Sequence, residues 1–274
     1  MIIDFHVHMA EYEWYTPSIL ELYAQIHSDP VEREKFFAHY SNPANFVKLL
    51  RDNGVNHAVI LAEYAPLTTG VLTNEQVADF CRDYEELIPF ANLNPYMHDD
   101  LGGTLKRLVL EQGFKGIKMY PTYQHFYPNE IKLYPMYAAA QELGIPVLFH
   151  TGTSVFKNSR LKYGNPVLYD DVAVDFPDLT IVLAHSGRMA WYDEAMMVTR
   201  LHKNLYLELS GLAVKRLLEH FPEMERFSHK FIFGTDWPQV EYPTVFKHYQ
   251  SLGLSQAALD RILGLNAAKI LKLA

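Results

Sequence analysis

The chain alternates between short, almost continuously apolar runs and longer stretches with helical periodicity. The apolar runs are rich in β-branched and aromatic residues, and each is followed by a loop and then by a helical pattern. Runs without polar alternation are typical of strands covered on both faces, as in parallel sheets. We therefore predict strands at residues 2–8, 57–63, 87–93, 114–120, 145–150, 179–185, 204–210 and 230–236.

Capping residues and glycines mark the ends of the helical segments between these runs. Asn42 precedes a proline and predicts the start of one helix, while Thr73 with Gln76 three residues later has the spacing of a capping box. Gly113 and Gly144 stand where the carboxyl end of a helix favours glycine. We predict helices at residues 43–51, 74–86, 104–112, 130–143, 165–175, 189–202, 212–220, 242–252 and 256–273.

Eight such alternations predict a single-domain (β/α)8 TIM barrel covering residues 1–274, with a doubly wound open sheet as the alternative. No Gly-x-Gly-x-x-Gly pattern follows the first strand, which counts against a dinucleotide-binding sheet. The chain also has an extra helix at its carboxyl end and an insertion at residues 9–42. We expect this insertion to form a lid over the active-site face rather than a peripheral packing loop. Its aromatic residues include Tyr12, Trp14, Tyr15, Tyr23 and Tyr40.

Composition and charge narrow the class of protein. Of 274 residues, 49% are hydrophobic and 20% are charged, and the net charge is -8. These are ordinary values for a soluble globular protein. Mild acidity without a Lys/Arg cluster argues against nucleic-acid binding, and no apolar run is long enough to span a membrane. Cys81 is the single cysteine, which excludes an internal disulfide and fits a reducing compartment.

From these features we expect a cytoplasmic protein that acts on a small molecule. The amino terminus shows no secretory signal. The acidic surface and outer apolar helices are compatible with a homodimer.

Residues that commonly bind metals stand at the ends of otherwise apolar strands. His6 and His8 are one residue apart on the first strand, so their side chains lie on the same face. A single histidine in such a place is ordinarily a hydrogen-bonded core residue. The carboxyl ends of barrel strands, however, meet at the face where active sites lie. The residues that this face brings together are His6, His8, Lys118, His150, His185 and Asp236.

Imidazoles combined with a carboxylate suit a divalent metal ion. Three neutral imidazoles and one carboxylate fit Zn2+ and leave a coordination position for water, although Mn2+, Fe2+ and Co2+ accept the same ligands. Asp236 is then placed to accept a proton from a metal-activated water. His185 is placed to act as an acid or base, or to polarise a substrate carbonyl.

Sequence motifs along the whole chain carry a resemblance to a known family. They are IDFHVH at the start, LFHTG at 148–152, LAHSG at 183–187, FGTDWP at 233–238 and LGLNAAKIL at 263–271. With them the chain resembles the amidohydrolase superfamily, in particular its "amidohydrolase 2" branch of TIM-barrel metal-dependent hydrolases and decarboxylases. That branch includes relatives of aminocarboxymuconate-semialdehyde decarboxylase. The resemblance implies a metal ion held by His6, His8, His150 and Asp236, with His185 acting in catalysis or as an extra ligand.

Lys118 bears on whether one or two metal ions bind. In binuclear members of the superfamily that the chain resembles, a lysine at this strand end is carboxylated and bridges two ions. The alternatives are a partner for a substrate carboxylate and an ordinary ion pair. For substrate binding we expect contacts from Arg188, Tyr120, Arg160 and Trp237. Other polar residues near the strand ends could also shape the pocket, and we expect two or three of the whole polar set, which includes Arg188, Tyr120 and Arg160, to touch substrate. These other residues are Glu63, Asn94, Tyr123, His125, Lys157, Tyr163, Glu208 and Ser210.

Three functions stay open at this point. The first is a metal-dependent hydrolase of an amide, lactone or ester bond, in which Asp236 shuttles the proton and His185 stabilises the oxyanion. The second is a metal-dependent nonoxidative decarboxylase of an unsaturated or aromatic acid, in which a protonated side chain delivers a proton to carbon. The third, a non-catalytic barrel that binds a metal ion or small molecule, leaves the acid–base pair without a role. We expect hydrolysis first and decarboxylation second.

Overall fold

A parallel eight-stranded sheet organises the computed structural model, which describes residues 1–10 and 13–273. Each strand pairs in parallel with the next barrel strand along the chain. The strands are β1 (Ile3–Val7), β2 (His57–Leu61), β3 (Leu87–Asn92), β4 (Gly116–Met119), β5 (Val147–His150), β6 (Ile181–Ala184), β7 (Leu205–Glu208) and β8 (Phe231–Ile232).

The first and last strands close this sheet into a barrel. The N–H of Phe5 donates to the carbonyl oxygen of Phe233 at 3.0 Å, and the N–H of Asp236 donates to the carbonyl oxygen of His6 at 2.9 Å. The predicted (β/α)8 barrel is therefore confirmed. The last strand ends at Ile232, earlier than predicted, because the residues that follow form the loop that carries Asp236.

Helices fill the intervals between the strands, and several ends follow the predicted signals. Thr73 and Gln76 form the expected capping box, and Gly113 and Gly144 end their helices in the left-handed conformation. The helix after Thr73 ends at Cys81 rather than at residue 86, because the next residues are largely exposed and form turns.

The α-helices are α1 (Pro17–Ile26), α2 (Pro30–Tyr40), α3 (Pro43–Asp52), α4 (Asn74–Cys81), α5 (Leu101–Gln112), α6 (Pro121–Gln124), α7 (Tyr134–Leu143), α8 (Tyr169–Asp175), α9 (Tyr192–Leu201), α10 (Leu217–His220), α11 (Tyr242–Gln250), α12 (Gln256–Asp260) and α13 (Asn266–Leu271). Short 3-10 turns lie at Ile131–Leu133, Leu161–Tyr163, Pro166–Leu168, His185–Gly187, Val214–Arg216 and Ser228–Lys230. A search of residues 1–10 and 13–273 finds no helix with the length and hydropathy needed to cross a membrane.

The insertion at residues 9–42 contains α1 and α2 and contacts a hairpin that the sequence pattern did not predict. The hairpin strands are Glu63–Ala65 and Gly70–Leu72. The N–H of Val71 donates to the carbonyl oxygen of Trp14 at 3.2 Å. Gly70 approaches Trp14 so closely that a β-carbon would overlap this carbonyl group. Tyr12, one of the aromatic residues noted in the insertion, lies outside the described residues.

A bulge in β1 turns its histidines toward the barrel interior. Phe5 belongs to the apolar cluster inside the barrel and meets Phe90 edge-on, with ring centroids 5.5 Å apart. From Asp4 to Val7, β1 has one residue more than β2 over the paired stretch. The extra residue lets His6 follow Phe5 on the interior side, where strict alternation would place it on the opposite face.

The carboxyl-terminal helices cover the end of the barrel at which the strands begin. The segment predicted as one helix at 256–273 consists of α12, a π-helical turn at Arg261–Leu265 and α13. Ala267 and Ile270 join the inner apolar cluster. The side-chain amide of Asn266 donates to the carbonyl oxygens of Ser228 and Phe231, both at 2.7 Å. These contacts fill the amino-terminal end of the barrel.

Candidate metal centre and active site

Side chains from both ends of the chain converge at the carboxyl end of the barrel. Nε2 of His8 lies 3.2 Å from Oδ1 of Asp236, and Nε2 of His6 lies 3.5 Å from the same oxygen. The two imidazole rings have centroids 5.3 Å apart. His6 and Asp236 are buried, and His8 is partly exposed. This donor cluster of His6, His8 and Asp236 is compact enough to hold a metal ion.

Asp4 anchors the loop that presents Asp236. Its buried carboxylate accepts hydrogen bonds from the N–H and the hydroxyl of Thr235 at 3.0 and 2.5 Å, and from the hydroxyl of Tyr242 at 2.8 Å. It also accepts from the N–H of His6 at 3.2 Å. Asp236 itself has a φ of 62°, which few residues other than glycine adopt. Asp4 therefore ties the strand that bears His6 to the strained loop that bears Asp236.

The ends of β5 and β6 bring His150 and His185 beside this cluster. Their ring centroids are 4.7 Å apart, and His185 lies 4.9 Å from the ring of His6. Nδ1 of His185 is 2.9 Å from the carbonyl oxygen of Ser210. Because a carbonyl only accepts, Nδ1 carries the proton and Nε2 is left without one in the neutral ring. Nε2 of His150 is buried and has no hydrogen-bond partner among the described residues.

Burial keeps the imidazoles in the form that binds metal. It is the largest cause that lowers the pKa well below 6.5 at His6, His150 and His185. For the last two, the charge of Arg188 is the second cause. Neutral imidazoles and an ionised carboxylate are the required ligand forms.

The surroundings of His6 indicate a cation between its ring and Asp236. Nδ1 of His6 lies 3.1 Å from Oε2 of the buried Glu208, so the ring proton belongs on that side. The lone pair of Nε2 then faces a carboxylate, and two acceptors at this distance repel each other unless a cation lies between them. The unpartnered Nε2 of His150 supplies a further donor. The residues present therefore fit a divalent metal ion between His6, His8 and Asp236, and His150 lines the same cavity.

The side chains of His6, His185 and Glu208 also lie close enough to hold an ion, but they form a hydrogen-bond network instead. Oγ of Ser210 donates to Oε2 of Glu208 at 2.8 Å. The same oxygen lies 2.9 Å from Nδ1 of His6 and 3.1 Å from Nδ1 of His185. Because both Nδ1 atoms carry protons, neither offers a lone pair for an ion here.

Lys118 lies in the field of several carboxylates. Its ammonium group is fully buried, has no hydrogen-bond partner in the described parts of the chain, and stands 5.0 Å from the ring centroid of Tyr120. Burial lowers its pKa to about 8, against the opposing charges of Glu208, Asp236 and Glu63. Lys118 thus supplies an internal counter-charge, and its carboxylation as a bridge between two ions stays a prediction.

The donor cluster forms the floor of a cavity of about 300 Å³. Among the described residues that line the cavity, Arg188 is the only arginine or lysine. The remaining walls are mainly aromatic and aliphatic. They are formed by Tyr15, Ile19, Leu22, Tyr23, Tyr120, Tyr123, Val155, Phe156 and Met189.

Arg188 directs its guanidinium group toward the donor cluster. Its Nη2 donates to the carbonyl oxygen of Thr153 at 3.0 Å. A β-carbon at Gly211 would lie 2.5 Å from Nη1 of Arg188 and 3.2 Å from Oδ2 of Asp236. The absence of a side chain at Gly211 therefore leaves room for the guanidinium group in the cavity that Asp236 also lines. Such a group can bind a substrate carboxylate next to the metal site.

The other expected substrate contacts divide into two groups. Tyr120 lines the cavity and donates through its hydroxyl to the carbonyl oxygen of Ala62 at 3.2 Å. Arg160 is exposed and stands apart from the described lining. Trp237 also stands apart from it, because it packs on Phe46 with ring centroids 4.7 Å apart. Of the further candidates, Glu63 and Tyr123 line the cavity, whereas the described lining does not include Asn94, His125, Lys157, Tyr163, Glu208 and Ser210.

Sequence reasoning named Tyr15 and Tyr23 among the aromatic residues of the expected lid, but it did not single out Ile19 and Leu22, which the insertion also places at the cavity. Ile19, Leu22 and Tyr23 lie on one face of α1 and point into the cavity from above. Their spacing of three and four residues is that of a helix face and was a usable signal. The roles of Asp4 and Glu208 could not be predicted from a local pattern, because each side chain contacts residues that are distant in sequence.

The chain is similar to a known protein family along almost its whole length. The family model described as Amidohydrolase matches residues 3–273. A related protein, gamma-resorcylate decarboxylase from Rhodococcus jostii (strain RHA1), is 23% identical over 287 residues, which is 83% of this chain and 86% of that protein.

Solved structures with the same fold come from several bacteria. An uncharacterized TIM-barrel protein from Bordetella bronchiseptica has a TM-score of 0.81 and 21% identity, covering 99% of this chain and 98% of that one. A dihydroxybenzoic acid decarboxylase from Polaromonas sp. JS666, with bound manganese and 2-nitroresorcinol, has a TM-score of 0.72 and 16% identity over 99% and 97% of the two chains. A probable 2-pyrone-4,6-dicarboxylic acid hydrolase from Acinetobacter baumannii, with citric acid bound, has a TM-score of 0.68 and 16% identity over 99% of each.

Proposed function

The chain belongs to the amidohydrolase family, and from this premise we propose that it is a metal-dependent decarboxylase of a small unsaturated or aromatic carboxylic acid. Similarity to gamma-resorcylate decarboxylase and to dihydroxybenzoic acid decarboxylase supports this choice. Hydrolysis, which the sequence led us to expect first, becomes the second candidate. Its support is the similarity to the hydrolase from Acinetobacter baumannii.

The observation that carries the proposal is the combination of charge and shape in the cavity. Arg188 and Asp236 line the same cavity, whose walls are mainly aromatic and aliphatic. A flat acid can place its ring against Tyr123 and Phe156 while its carboxylate pairs with Arg188. A cavity of about 300 Å³ is at the small end of the range for ligand sites, which suits a single-ring substrate.

His6, His8, His150 and Asp236 would hold the metal ion in this proposal. When bound, the ion supplies Lewis-acid stabilisation of negative charge on the substrate's oxygens. The first ion to test is Mn2+, because the Polaromonas enzyme was solved with manganese, and Zn2+, our expectation from the sequence, is tested in parallel.

The reaction requires one proton transfer to carbon. The bond between the ring carbon and the carboxylate breaks, CO2 leaves, and the electron pair left on the carbon takes a proton. We assign this transfer to His185, whose Nδ1 proton stays with the carbonyl oxygen of Ser210 and whose ring lines the cavity. Its Nε2 first takes up a proton from solvent and then delivers that proton to the carbon, which returns the ring to its neutral form. Asp236, the other proposed proton-transfer group, lies on the same cavity floor.

The insertion at residues 9–42 is proposed as the lid of this site. Ile19, Leu22 and Tyr23 cover the cavity. The ammonium group of Lys157 binds Glu21 of α1 at 2.8 and 2.9 Å, which joins the insertion to the loop after β5. Side chains over the cavity limit the access of water, which favours loss of CO2 over hydrolysis.

The test is a product analysis with the metal-loaded protein. Carboxyl-labelled 2,6-dihydroxybenzoate is incubated in D2O with protein loaded with Mn2+ or Zn2+, and 2-pyrone-4,6-dicarboxylate is run in parallel. The proposal predicts labelled CO2 and one deuterium on the vacated carbon. Gain of the mass of water without CO2, from the pyrone alone, would establish the hydrolase instead.

Arginine variants separate substrate binding from general effects. Arg188→Met is expected to raise KM by about 10- to 100-fold, because a charge-assisted hydrogen bond to the carboxylate is lost. Arg160→Met is the matched control, since Arg160 is exposed and stands apart from the described lining. An equal change in both variants would remove Arg188 from substrate binding.

A further inference from the structure

We propose that Glu208 is a positioning residue that sets the tautomer of His6 and so prepares its Nε2 for the metal ion. The inference rests on the proposed metal site, and it assigns to the end of β7 a role that the sequence motifs did not indicate. Glu208 acts through His6 and, by way of Ser210, on His185. It stands apart from the described cavity lining, so it is not a substrate contact.

The contact between Glu208 and His6 fixes the ring by a hydrogen bond. Oε2 of Glu208 lies 3.1 Å from Nδ1 of His6, and both side chains are buried. Burial raises the pKa of Glu208 to about 7, against the charge of Lys118 and the hydrogen bonds from Ser210. Above this pH both oxygens only accept, as they do from the N–H and the hydroxyl of Ser210, so the bond requires the proton of His6 to be on Nδ1. The lone pair of the ring is then on Nε2, the nitrogen that faces Asp236. A carboxylate behind a ligand histidine orients the ring and increases its basicity toward a metal ion.

Gly234 provides the space that this contact needs. A β-carbon at Gly234 would overlap Oε1 of Glu208 and lie 3.0 Å from Cβ of His6. A side chain at this position would therefore push the two residues apart. The glycine of the FGTDWP segment thus serves the packing of Glu208 against His6.

Ser210 fixes the carboxylate and extends the network to His185. Its N–H donates to Oε1 of Glu208 at 2.6 Å, and its hydroxyl donates to Oε2 at 2.8 Å. With its proton committed to Glu208, Oγ of Ser210 can only accept from the two nearby Nδ1 atoms. The two imidazoles are therefore held in the same tautomer by one buried group of acceptors.

Glu63 provides a matched comparison on the other histidine of β1. Its Oε2 lies 3.8 Å from Nδ1 of His8, beyond hydrogen-bond distance, and its Oε1 accepts from the hydroxyl of Thr69. Glu63 is buried and close to the same donor cluster. Substituting it removes a nearby negative charge without removing a hydrogen bond to a ligand.

The experiment compares Glu208→Leu, Glu208→Gln and Glu63→Gln with the unsubstituted protein. The tautomer of His6 is measured in the metal-free protein by NMR with 15N-labelled histidine, and the signals are assigned by their loss in His6→Gln. The Kd for Mn2+ is measured from free Mn2+ by electron paramagnetic resonance. Neither readout requires the protein to be a decarboxylase.

We expect Glu208→Leu to lose the Nδ1-protonated form of His6 and to weaken Mn2+ binding by about 10- to 100-fold. Glu208→Gln keeps one acceptor oxygen and should retain the tautomer with an intermediate Kd. Glu63→Gln should leave the tautomer of His6 unchanged. Circular dichroism checks that each variant folds, and Glu208→Ala takes the place of Glu208→Leu if that variant does not.

An unchanged His6 tautomer in the Glu208→Leu protein, or in its Glu208→Ala replacement, with a Kd within about threefold of the unsubstituted protein, would overturn the inference. If the unsubstituted protein fails to bind Mn2+ or Zn2+, the metal site is wrong. The tautomer measurement then still decides whether Glu208 orients His6.

Discussion

Nε2 of His8 lies 3.2 Å from Oδ1 of Asp236, the oxygen that also faces Nε2 of His6 at 3.5 Å. Because Nδ1 of His6 faces a carboxylate as well, the ring of His6 stands between two acceptors with one proton to offer. A metal ion on the Asp236 side resolves this conflict, and a proton there would require a charged imidazole. Burial disfavours that charge, since it is the first cause that lowers the pKa of His6.

His185→Ala tests the separation of catalysis from metal binding. The variant should keep its metal ion, because Nδ1 of His185 donates to Ser210 and the ring is not needed as a ligand. Turnover should fall by about 10²- to 10⁴-fold, the usual contribution of an acid–base group. Steady-state kinetics and elemental analysis of the same sample check both parts. An unchanged kcat would remove His185 from the mechanism, and loss of metal would make it a ligand.

Asp4→Asn tests the anchor of the Asp236 loop. The amide group can accept at only one atom, whereas the carboxylate of Asp4 accepts from Thr235, Tyr242 and His6. We expect the free energy of unfolding in urea to fall by about 1–3 kcal/mol, and the affinity for Mn2+ to fall with it. Asp52→Asn is the surface control, because Asp52 is exposed and pairs only with Lys48 among the described contacts. Equal losses in the two variants would mean that Asp4 does not anchor the loop that bears Asp236.

Cys81 reports on local opening of α4. The side chain is buried, and burial raises the pKa of its thiol. A raised pKa keeps the thiol protonated at pH 8, and the thiolate is the form that reacts with iodoacetamide. Alkylation of the folded protein, followed by mass spectrometry, should be at least about 100-fold slower than in denaturant. Similar rates would show that α4 opens readily in the native state.

Site residues could be predicted from the sequence where the position along a strand alone decides where the side chain lies. We could predict that His150, His185 and Asp236 lie at the site because each ends or follows a barrel strand. The carboxyl ends of these strands all meet at one face of the barrel. His6 and His8 share a face as predicted, although the bulge that turns them inward is a property of the pairing between β1 and β2. The register of that pairing cannot be predicted from the sequence of either strand alone.

Positions outside the strands were less predictable for a physical reason. Arg160 lies in a long loop, whose side-chain directions follow from packing rather than from strand register, and it is exposed. Trp237 follows Asp236 directly, yet it packs outward on Phe46 while Asp236 faces the cavity. The position of Glu208 behind His6 depends on the space left by Gly234. The homodimer stays a prediction.

The most direct test of the central claim is metal content per chain, measured by inductively coupled plasma mass spectrometry on the unsubstituted protein and on Asp236→Ala. The account predicts about one divalent ion per chain in the first and almost none in the second, because the variant loses the carboxylate that the imidazoles of His6 and His8 face. About two ions per chain would make Lys118 a carboxylated bridge and favour hydrolysis. Full occupancy in Asp236→Ala would contradict the proposed ligands.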